Sequence, residues 1–162
     1  MKRFAVITAS DSGFAGERED ISGPEAIRMM EAFGYQNIAY QMLPDDKEVL
    51  TKAMREIADS GVADLILTTG GTGFSVRDCT PEATKAVIER EVPGIPEAMR
   101  WFSLGFTKRA MLSRGMAGIR GNTLIVNLPG SPKAVKECLE YIQDSLDHGL
   151  EILLAEASNC AR

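Results

Sequence analysis

Residues 67–83 read Leu67-Thr68-Thr69-Gly70-Gly71-Thr72-Gly73-Phe74-Ser75-Val76-Arg77-Asp78-Cys79-Thr80-Pro81-Glu82-Ala83. An apolar run, residues 63–67, precedes the three glycines and is typical of a buried strand. Glycine allows a positive φ and lets the backbone approach a ligand closely. Successive backbone N–H groups in such a loop can hold an anion. The stretch therefore predicts a strand, an anion-binding loop and a helix that begins at Thr80-Pro81.

The acidic residue that follows this loop restricts the kinds of ligand that the loop can bind. Asp78 would place a carboxylate beside a bound anion, which is unfavourable unless a cation lies between them. The loop lacks the lysine of a P-loop, and no third glycine follows Gly73 at the spacing of a dinucleotide-binding motif. A phosphate–metal–carboxylate site is one interpretation. From the glycines alone, an ordinary strand-to-helix turn explains the pattern equally well.

The residues before this stretch alternate between strand and helix patterns. Strands are predicted at residues 4–8, 37–43 and 64–68. The first intervening helix is predicted to start with Ser22 and Glu25 as a capping box, and the second to start near Asp45 and Asp46. Such alternation implies a parallel sheet with helices on both faces and with the loops after the strands along one edge. We therefore expect Ser10, Asp11, Asp45 and the glycine loop to converge.

The second half of the chain continues the α/β pattern. Thr80 is predicted as the N-cap of a helix to about Glu91, and Pro96 as the start of another helix. Residues 116–127 read as a β-hairpin that turns at Gly121-Asn122. A long helix is expected from the N-cap Ser131 to about Ala155, within a single domain of residues 1–162 that ends in a frayed tail at residues 155–162. The most aromatic part of the chain, predicted to be core or a subunit interface, comprises Met99, Trp101, Phe102, Leu104 and Phe106.

Composition excludes several classes of function. The 162 residues are 44% hydrophobic and 25% charged, as in a globular domain, and the net charge of −5 argues against nucleic-acid binding. Three cysteines without CxxC spacing and one histidine, His148, give little support to a zinc site or a Ser-His-Asp triad. No apolar run reaches the roughly 18 residues of a membrane span, and the apolar N-terminus is too short for a signal-peptide core. We expect a cytoplasmic protein, and the net charge leaves a phosphorylated small molecule open as a ligand, because basic residues can be concentrated locally.

These motifs together resemble a known family. Thr69-Gly70-Gly71-Thr72-Gly73, Arg77-Asp78 and Thr80-Pro81-Glu82-Ala83 are similar to the signature of the MoaB/Mog proteins of molybdenum-cofactor biosynthesis. The resemblance covers roughly residues 3–155. Its further matching segments are Ser10-Asp11-Ser12, Ser22-Gly23-Pro24, Pro44-Asp45, Pro93-Gly94, Leu112-Ser113-Arg114, Gly118-Ile119-Arg120 and Asn127-Leu128-Pro129-Gly130-Ser131-Pro132.

The resemblance implies a fold and an activity. The expected fold is a three-layer α/β/α sandwich with a mostly parallel sheet plus an antiparallel hairpin, assembled as a homotrimer. The expected reaction is the Mg²⁺-dependent transfer of AMP from ATP to the phosphate of molybdopterin, which gives adenylylated molybdopterin and pyrophosphate. A molybdenum-insertion protein of the same pathway is a further expected partner.

The resemblance also assigns site residues. Asp45 and Asp78 are expected to be catalytic and to hold Mg²⁺, for which one or two carboxylates plus substrate phosphates are suitable ligands. The substrate- and nucleotide-binding residues are expected to be Ser10, Asp11, Gly70, Gly71, Thr72, Gly73, Ser113, Pro129, Gly130 and Ser131. Three basic residues are weaker candidates for balancing phosphate charge, with a solvated surface role as the alternative: Arg77, Arg114 and Lys133.

Other interpretations stay open at this point. Cys79 stands where relatives usually carry a β-branched residue, and we expect it to pack rather than to react. A non-catalytic MoaB-like protein that binds pterin or a partner could keep both aspartates. A CinA-like domain would normally be part of a longer chain, and a generic flavodoxin-like binding protein would leave the long glycine motif unexplained.

Overall fold

The computed structural model describes residues 1–155 and contains one six-stranded sheet. The strands are β1 (Arg3–Ala9), β2 (Gln36–Leu43), β3 (Leu65–Thr69), β4 (Arg90–Glu91), β5 (Ala117–Arg120) and β6 (Thr123–Leu128). The helices are α1 (Asp11–Phe14), α2 (Ser22–Ala32), α3 (Lys47–Ser60), α4 (Thr80–Val87), α5 (Gly94–Ser103) and α6 (Pro132–Leu153), with a 3₁₀ helix at Lys108–Leu112.

The strand order is β2-β1-β3-β6-β5-β4. The first four strands in this order are parallel, and β5 pairs antiparallel with both β6 and β4. The β5–β6 hairpin turns at the predicted Gly121-Asn122. Because the chain steps from β1 to β2 on one side and then to β3 on the other, the order reverses between β1 and β3. In open α/β sheets, ligands bind at the carboxyl ends of strands at such a reversal.

Each face of the sheet carries its own apolar core. On one face, Phe4, Val6 and Leu67 pack against helices α2, α5 and α6. On the other face, Ile7 and Ile66 pack against α3 and α4. Successive side chains of a strand point to opposite faces, so these fully buried strands are apolar throughout rather than alternating. The predicted three-layer α/β/α sandwich is confirmed. None of the helices within residues 1–155 combines the length and the apolar character needed to span a bilayer.

Two predicted N-caps, Ser22 and Thr80, are wrong. In both residues the side-chain hydroxyl forms a hydrogen bond to a loop carbonyl instead of capping the helix. Ser22 lies inside α2, whose N-cap is Ile21, and its hydroxyl donates to the Gly130 carbonyl at 2.6 Å. Its supposed capping-box partner, Glu25, forms an ion pair with Arg28. Thr80 lies inside α4, and its hydroxyl donates to the Gly70 carbonyl at 3.0 Å.

Element boundaries also differ from the prediction. Helix α4 ends at Val87 rather than near Glu91, because residues 90–91 form β4 and pair with β5. Helix α5 starts at Gly94 rather than Pro96, and the one-turn helix α1 occupies residues predicted as loop. The predicted start of α6, with Ser131 as N-cap, is confirmed. The predicted frayed tail lies, from residue 156 onward, outside the described residues.

The aromatic cluster is only partly core. Met99 is buried, whereas Trp101 is 76% and Phe106 60% exposed. Phe102 stacks on Tyr141 with ring centroids 4.2 Å apart. In the single chain, therefore, Met99 is part of the core, and Trp101 and Phe106 are not.

Candidate functional site

The carboxyl ends of β1, β2, β3 and β6 bring most of the predicted site residues to one edge of the sheet. Gly70 follows β3 with φ +83°, and a Cβ at this position would lie 2.4 Å from the Ala9 carbonyl oxygen at the end of β1. A Cβ on Gly130 would lie 3.5 Å from the Gly70 Cα. The strand-end loops therefore approach each other at distances that a side chain on Gly70 would prevent.

Asp45 is the most unusual group at this edge. Its Oδ2 accepts a hydrogen bond from the Asp11 backbone N–H at 3.0 Å. Its Oδ1 is buried and has no hydrogen-bond partner within residues 1–155. Burial raises the pKa of Asp45, and the nearby charges of Asp11 and Asp78 raise it further. A buried carboxylate oxygen without a partner is costly, so this geometry favours a cation or a donor from a ligand.

Asp78 closes the far end of the glycine loop. Its Oδ2 accepts a hydrogen bond from the Ser75 backbone N–H at 3.0 Å, and its own N–H donates to the Ser75 carbonyl at 3.0 Å. A Cβ on Gly73 would lie 2.9 Å from this Oδ2, so the carboxylate lies directly against the loop. The turn fixes one oxygen of Asp78 close to the loop backbone.

The glycine loop is held by its carbonyl groups. The Gly70 and Gly71 carbonyls accept from the Thr80 hydroxyl and the Thr80 N–H, at 3.0 and 3.1 Å. The Thr72 and Gly73 carbonyls accept from the Arg114 N–H and Nε, at 2.8 and 2.7 Å. Four successive carbonyls are thus engaged by protein donors. The N–H groups of residues 71–73 donate to no atom of residues 1–155. These donors could bind an anion, as predicted for the loop.

Gly71 explains why the loop needs glycine beside Asp45. Its φ is +66°, and a Cβ would lie 2.3 Å from the Thr80 Oγ1 and 3.1 Å from the Asp45 Oδ1. The unpartnered oxygen of Asp45 is therefore close to the loop backbone. A side chain at residue 71 would occupy the space between them.

Arg77 is engaged by Asp11. Its Nε and Nη2 donate to the two oxygens of Asp11, at 2.9 and 3.0 Å. The hydrogen bond from Arg77 lowers the pKa of Asp11, which also accepts from the Asp45 N–H at 3.0 Å. Both oxygens of Asp11 are therefore used within the protein. Its position beside Asp45 suits a role in holding that residue better than direct contact with a substrate.

Eight of the ten predicted binding residues line one of two cavities rather than one pocket, and Asp11 and Gly71 line neither. A cavity of about 500 Å³ is lined by Ser10, Gly70, Gly130 and Ser131. A second cavity of about 280 Å³ is lined by Thr72, Gly73, Ser113 and Pro129. The glycine loop contributes to both, so it forms the boundary between them.

The hydroxyl groups of this edge are largely structural. Ser10 and Ser131 cap α1 and α6 by accepting from the N–H groups of Gly13 and Ala134, at 3.0 and 3.3 Å. Ser113 Oγ accepts from the Gly115 N–H at 3.3 Å. Each still lines a cavity. Ser10 and Ser131 therefore stand at helix starts, whereas Ser113 follows the end of the 3₁₀ helix.

The other two basic residues considered for balancing phosphate charge, Lys133 and Arg114, both have partners within the protein. Lys133 is exposed and lies 3.9 Å from Glu137 in an ordinary i,i+4 pair. Arg114 is committed to the loop carbonyls and to Glu82, in a hydrogen bond between its Nη1 and Glu82 Oε1. Cys79 is half-buried against the α3–α4 core, and burial raises the pKa of its thiol, as expected of a packing residue.

Sequence reasoning missed several residues that support the site. Asp20 accepts from the hydroxyls of Thr8 and Tyr40, both at 2.7 Å, and lines the larger cavity. Asn127 is fully buried, and its amide donates to Thr68 and Thr84 at 2.9 Å each. A polar residue within an apolar strand was a signal for Asn127. Nothing in the local sequence indicated the Asp20 contacts.

Comparison with known proteins identifies the family. The family model described as "Probable molybdopterin binding domain" matches residues 5–148. The molybdopterin adenylyltransferase of Escherichia coli K12 is 47% identical over 145 residues, which are 88% of this chain and 74% of that protein. Molybdenum cofactor synthesis protein cinnamon of Drosophila melanogaster is 42% identical over 151 residues, 93% of this chain but 25% of the fly protein.

A solved structure gives the same result. The molybdopterin biosynthesis enzyme MoaB of Thermus thermophilus matches with a TM-score of 0.89 and 46% identity, over 94% of this chain and 96% of that chain. The chain therefore belongs to the MoaB/Mog family of molybdopterin-binding domains.

Proposed function

We propose that this protein is a molybdopterin adenylyltransferase that acts in molybdenum-cofactor biosynthesis. Family membership and the name of the 47% identical bacterial relative support the assignment. The activity implies ATP as the second substrate. A molybdopterin phosphate oxygen attacks the α-phosphorus of ATP, a P–O–P bond forms, and the bond to the β-phosphate breaks to release pyrophosphate.

The observation that carries the proposal is the unpartnered Oδ1 of Asp45 beside the glycine loop. This oxygen fits a divalent cation, because the pKa of Asp45 is raised mainly by burial and a cation would compensate the buried charge. Within residues 1–155, no three acidic, cysteine or histidine side chains gather into a metal site. Mg²⁺ takes one or two carboxylates plus substrate phosphates and water, and Asp45 and Asp78 are two such carboxylates.

We assign Asp45 and Asp78 to that cation. When bound, Mg²⁺ would neutralise charge on the phosphate oxygens of ATP. The protein's own contribution is positioning. The N–H groups of residues 71–73 would bind phosphate oxygens, and the turn at Asp78 would keep its carboxylate on the same side of the loop.

The two cavities support a reaction that joins two substrates. They are separated by the glycine loop, at which Thr72 and Gly73 face one cavity and Gly70 faces the other. We propose that molybdopterin and ATP occupy these cavities with their phosphates meeting at the loop. Ser10, Gly130 and Ser131 would contact the ligand of the larger cavity, and Ser113 and Pro129 the ligand of the smaller one.

The test is direct. Purified protein is incubated with molybdopterin, ATP and MgCl₂, and adenylylated molybdopterin and pyrophosphate are measured. We expect both products in equal amounts, and neither when EDTA replaces MgCl₂. Binding of molybdopterin without product would favour the alternative, a non-catalytic MoaB-like pterin-binding or partner-binding protein.

We also propose that the protein works as a cytoplasmic homotrimer that passes its product to a molybdenum-insertion protein. Support comes from the exposed aromatic side chains Trp101 and Phe106, which lie on α5 and just after it. Large exposed apolar side chains near each other in the sequence are compatible with a subunit interface. Light scattering on the purified protein tests the trimer, and a monomer would contradict it without affecting the proposed chemistry.

A further inference from the structure

Arg114 is the side chain that ties the two ends of the loop between Thr72 and Asp78 together. Its Nε donates to the Gly73 carbonyl at 2.7 Å, and its Nη2 donates to the Asp78 carbonyl at 2.9 Å. Its backbone N–H donates to the Thr72 carbonyl at 2.8 Å. One residue thus fixes the start of the segment and the residue that carries the second carboxylate.

The guanidinium group is itself held in place from α4. Its Nη1 donates to Oε1 of Glu82, in the first turn of that helix. Burial raises the pKa of Glu82, but the hydrogen bond and charge of Arg114, together with a backbone hydrogen bond and the charge of Lys47, lower it overall. A planar guanidinium with three separate acceptors is oriented far more strictly than a lysine ammonium would be.

We propose that Arg114 is a positioning residue for the adenylyl-transfer site: it turns the loop carbonyls inward, which leaves the loop N–H groups for phosphate, and it sets Asp78 relative to Asp45. The effect of Arg114 on catalysis rests on the proposed function. The ordering of the loop by Arg114 does not depend on that function. Arg114 acts through the loop, since its Nε, Nη1 and Nη2 all bind protein acceptors and its side chain is 32% exposed.

The protein offers a matched control. Arg120 also binds a carboxylate and a carbonyl: its Nε and Nη2 donate to Asp59 at 2.7 and 2.9 Å, and its Nη1 donates to the Val87 carbonyl at 3.1 Å. Its side chain is 22% exposed. It lies on β5, away from the glycine loop. Arg120→Lys therefore removes a comparable set of hydrogen bonds without touching the site.

The first measurement is steady-state kinetics of adenylylation for Arg114→Lys and Arg120→Lys. Misplacing reacting groups by about 1 Å costs on the order of 100-fold in rate. We expect Arg114→Lys to lower kcat about 100-fold while KM for ATP changes less than about threefold, and Arg120→Lys to leave both within about twofold. A raised KM with unchanged kcat would mean that Arg114 contributes only to substrate binding and not to the placement of reacting groups, and would overturn the proposal.

The second measurement is hydrogen exchange of the amides of residues 70–78, which needs no substrate. Faster exchange by about tenfold in Arg114→Lys, but not in Arg120→Lys, is expected if the guanidinium orders the loop. Equal exchange in both variants would overturn the proposal. If the wild-type protein forms no adenylylated product, the proposed function fails, and the exchange result alone decides the structural role of Arg114.

A third variant covers the case in which Arg114→Lys does not fold. Glu82→Gln keeps the carbonyl contacts of Arg114 and removes only its charged partner. We expect Glu82→Gln to have a smaller effect than Arg114→Lys, with kcat lowered about threefold and KM for ATP unchanged. Glu82→Gln with wild-type kcat and wild-type loop exchange would count against the proposal.

Discussion

Asp11 and Asp45 each donate a backbone N–H to the other's carboxylate, at 3.0 Å in both directions. This reciprocal pair joins the end of β1 to the end of β2. It uses one oxygen of Asp45 and leaves the other, buried and unpartnered, beside Gly71. The arrangement makes Asp45 a group whose charge is costly to the fold.

Asp45→Asn should therefore separate function from stability. The amide keeps an oxygen for the Asp11 N–H, and a neutral group is cheaper to bury than an unpaired carboxylate. We expect turnover to fall at least about 100-fold, while Tm rises by about 2 °C. The neighbouring Asp46→Asn is the control, because Asp46 only caps α3 by accepting from the Val49 N–H, and asparagine caps equally well. Retained turnover, or a lowered Tm, in Asp45→Asn would contradict the assignment.

The difference in stability between wild type and Asp45→Asn should depend on pH. Because burial raises the pKa of Asp45 in the folded state, the folded protein binds its proton more tightly than the unfolded chain does. Wild-type stability is thus lost as pH rises from the unfolded pKa, about 3.9, through the higher folded value. Below that range both forms are neutral and the penalty vanishes.

The measurement is Tm of wild type and Asp45→Asn from about pH 3.5 to pH 8, since groups remote from Asp45 cancel in the difference. We expect the advantage of Asp45→Asn to be near zero at the acid end and constant near neutral pH. A difference that is independent of pH would show that the substitution acts through packing rather than charge.

The sequence could predict the fold because the β-α-β-α-β alternation and the hairpin at Gly121-Asn122 are local patterns. It could also predict that Asp45 and the glycine loop converge, since parallel strands end at one edge. It could not predict the roles of Ser22 and Thr80. Both look like N-caps, and their hydroxyls instead reach the carbonyls of Gly130 and Gly70. Such contacts depend on how loops from distant strands meet.

The same limit applies to the cavities and to Arg114. Ser10 and Ser113 both match ligand-lining positions, but only the placement of the glycine loop assigns them to separate cavities. Arg114 was a candidate for phosphate contact because its charge is visible in the sequence. Two of the three acceptors of its side chain are backbone carbonyls, which no residue pattern indicates.

Gly71→Ala should cost more than an ordinary glycine substitution. Gly71 and Gly121 have similar positive φ values, +66° and +55°, but a Cβ meets Thr80 and Asp45 at the first and nothing within 4 Å at the second. We expect Gly121→Ala to lower the free energy of unfolding by about 1 kcal/mol and Gly71→Ala by about 3 kcal/mol, since a clash adds to the backbone strain. Urea denaturation measures both. Equal losses would mean that the space around Gly71 can adjust.

Asp78→Asn should remove catalysis while keeping the loop. The Asp78 Oδ2 accepts from the Ser75 N–H, and an asparagine oxygen can accept the same bond. We expect kcat to fall at least about 100-fold, whereas Kd for molybdopterin stays within about threefold. Asp78→Ala is the comparison variant, because it also removes the hydrogen bond that holds the turn and should speed hydrogen exchange of residues 73–78. If Asp78→Asn weakens molybdopterin binding as much as turnover, then the carboxylate is a ligand-binding or structural group and does not act in the transfer step.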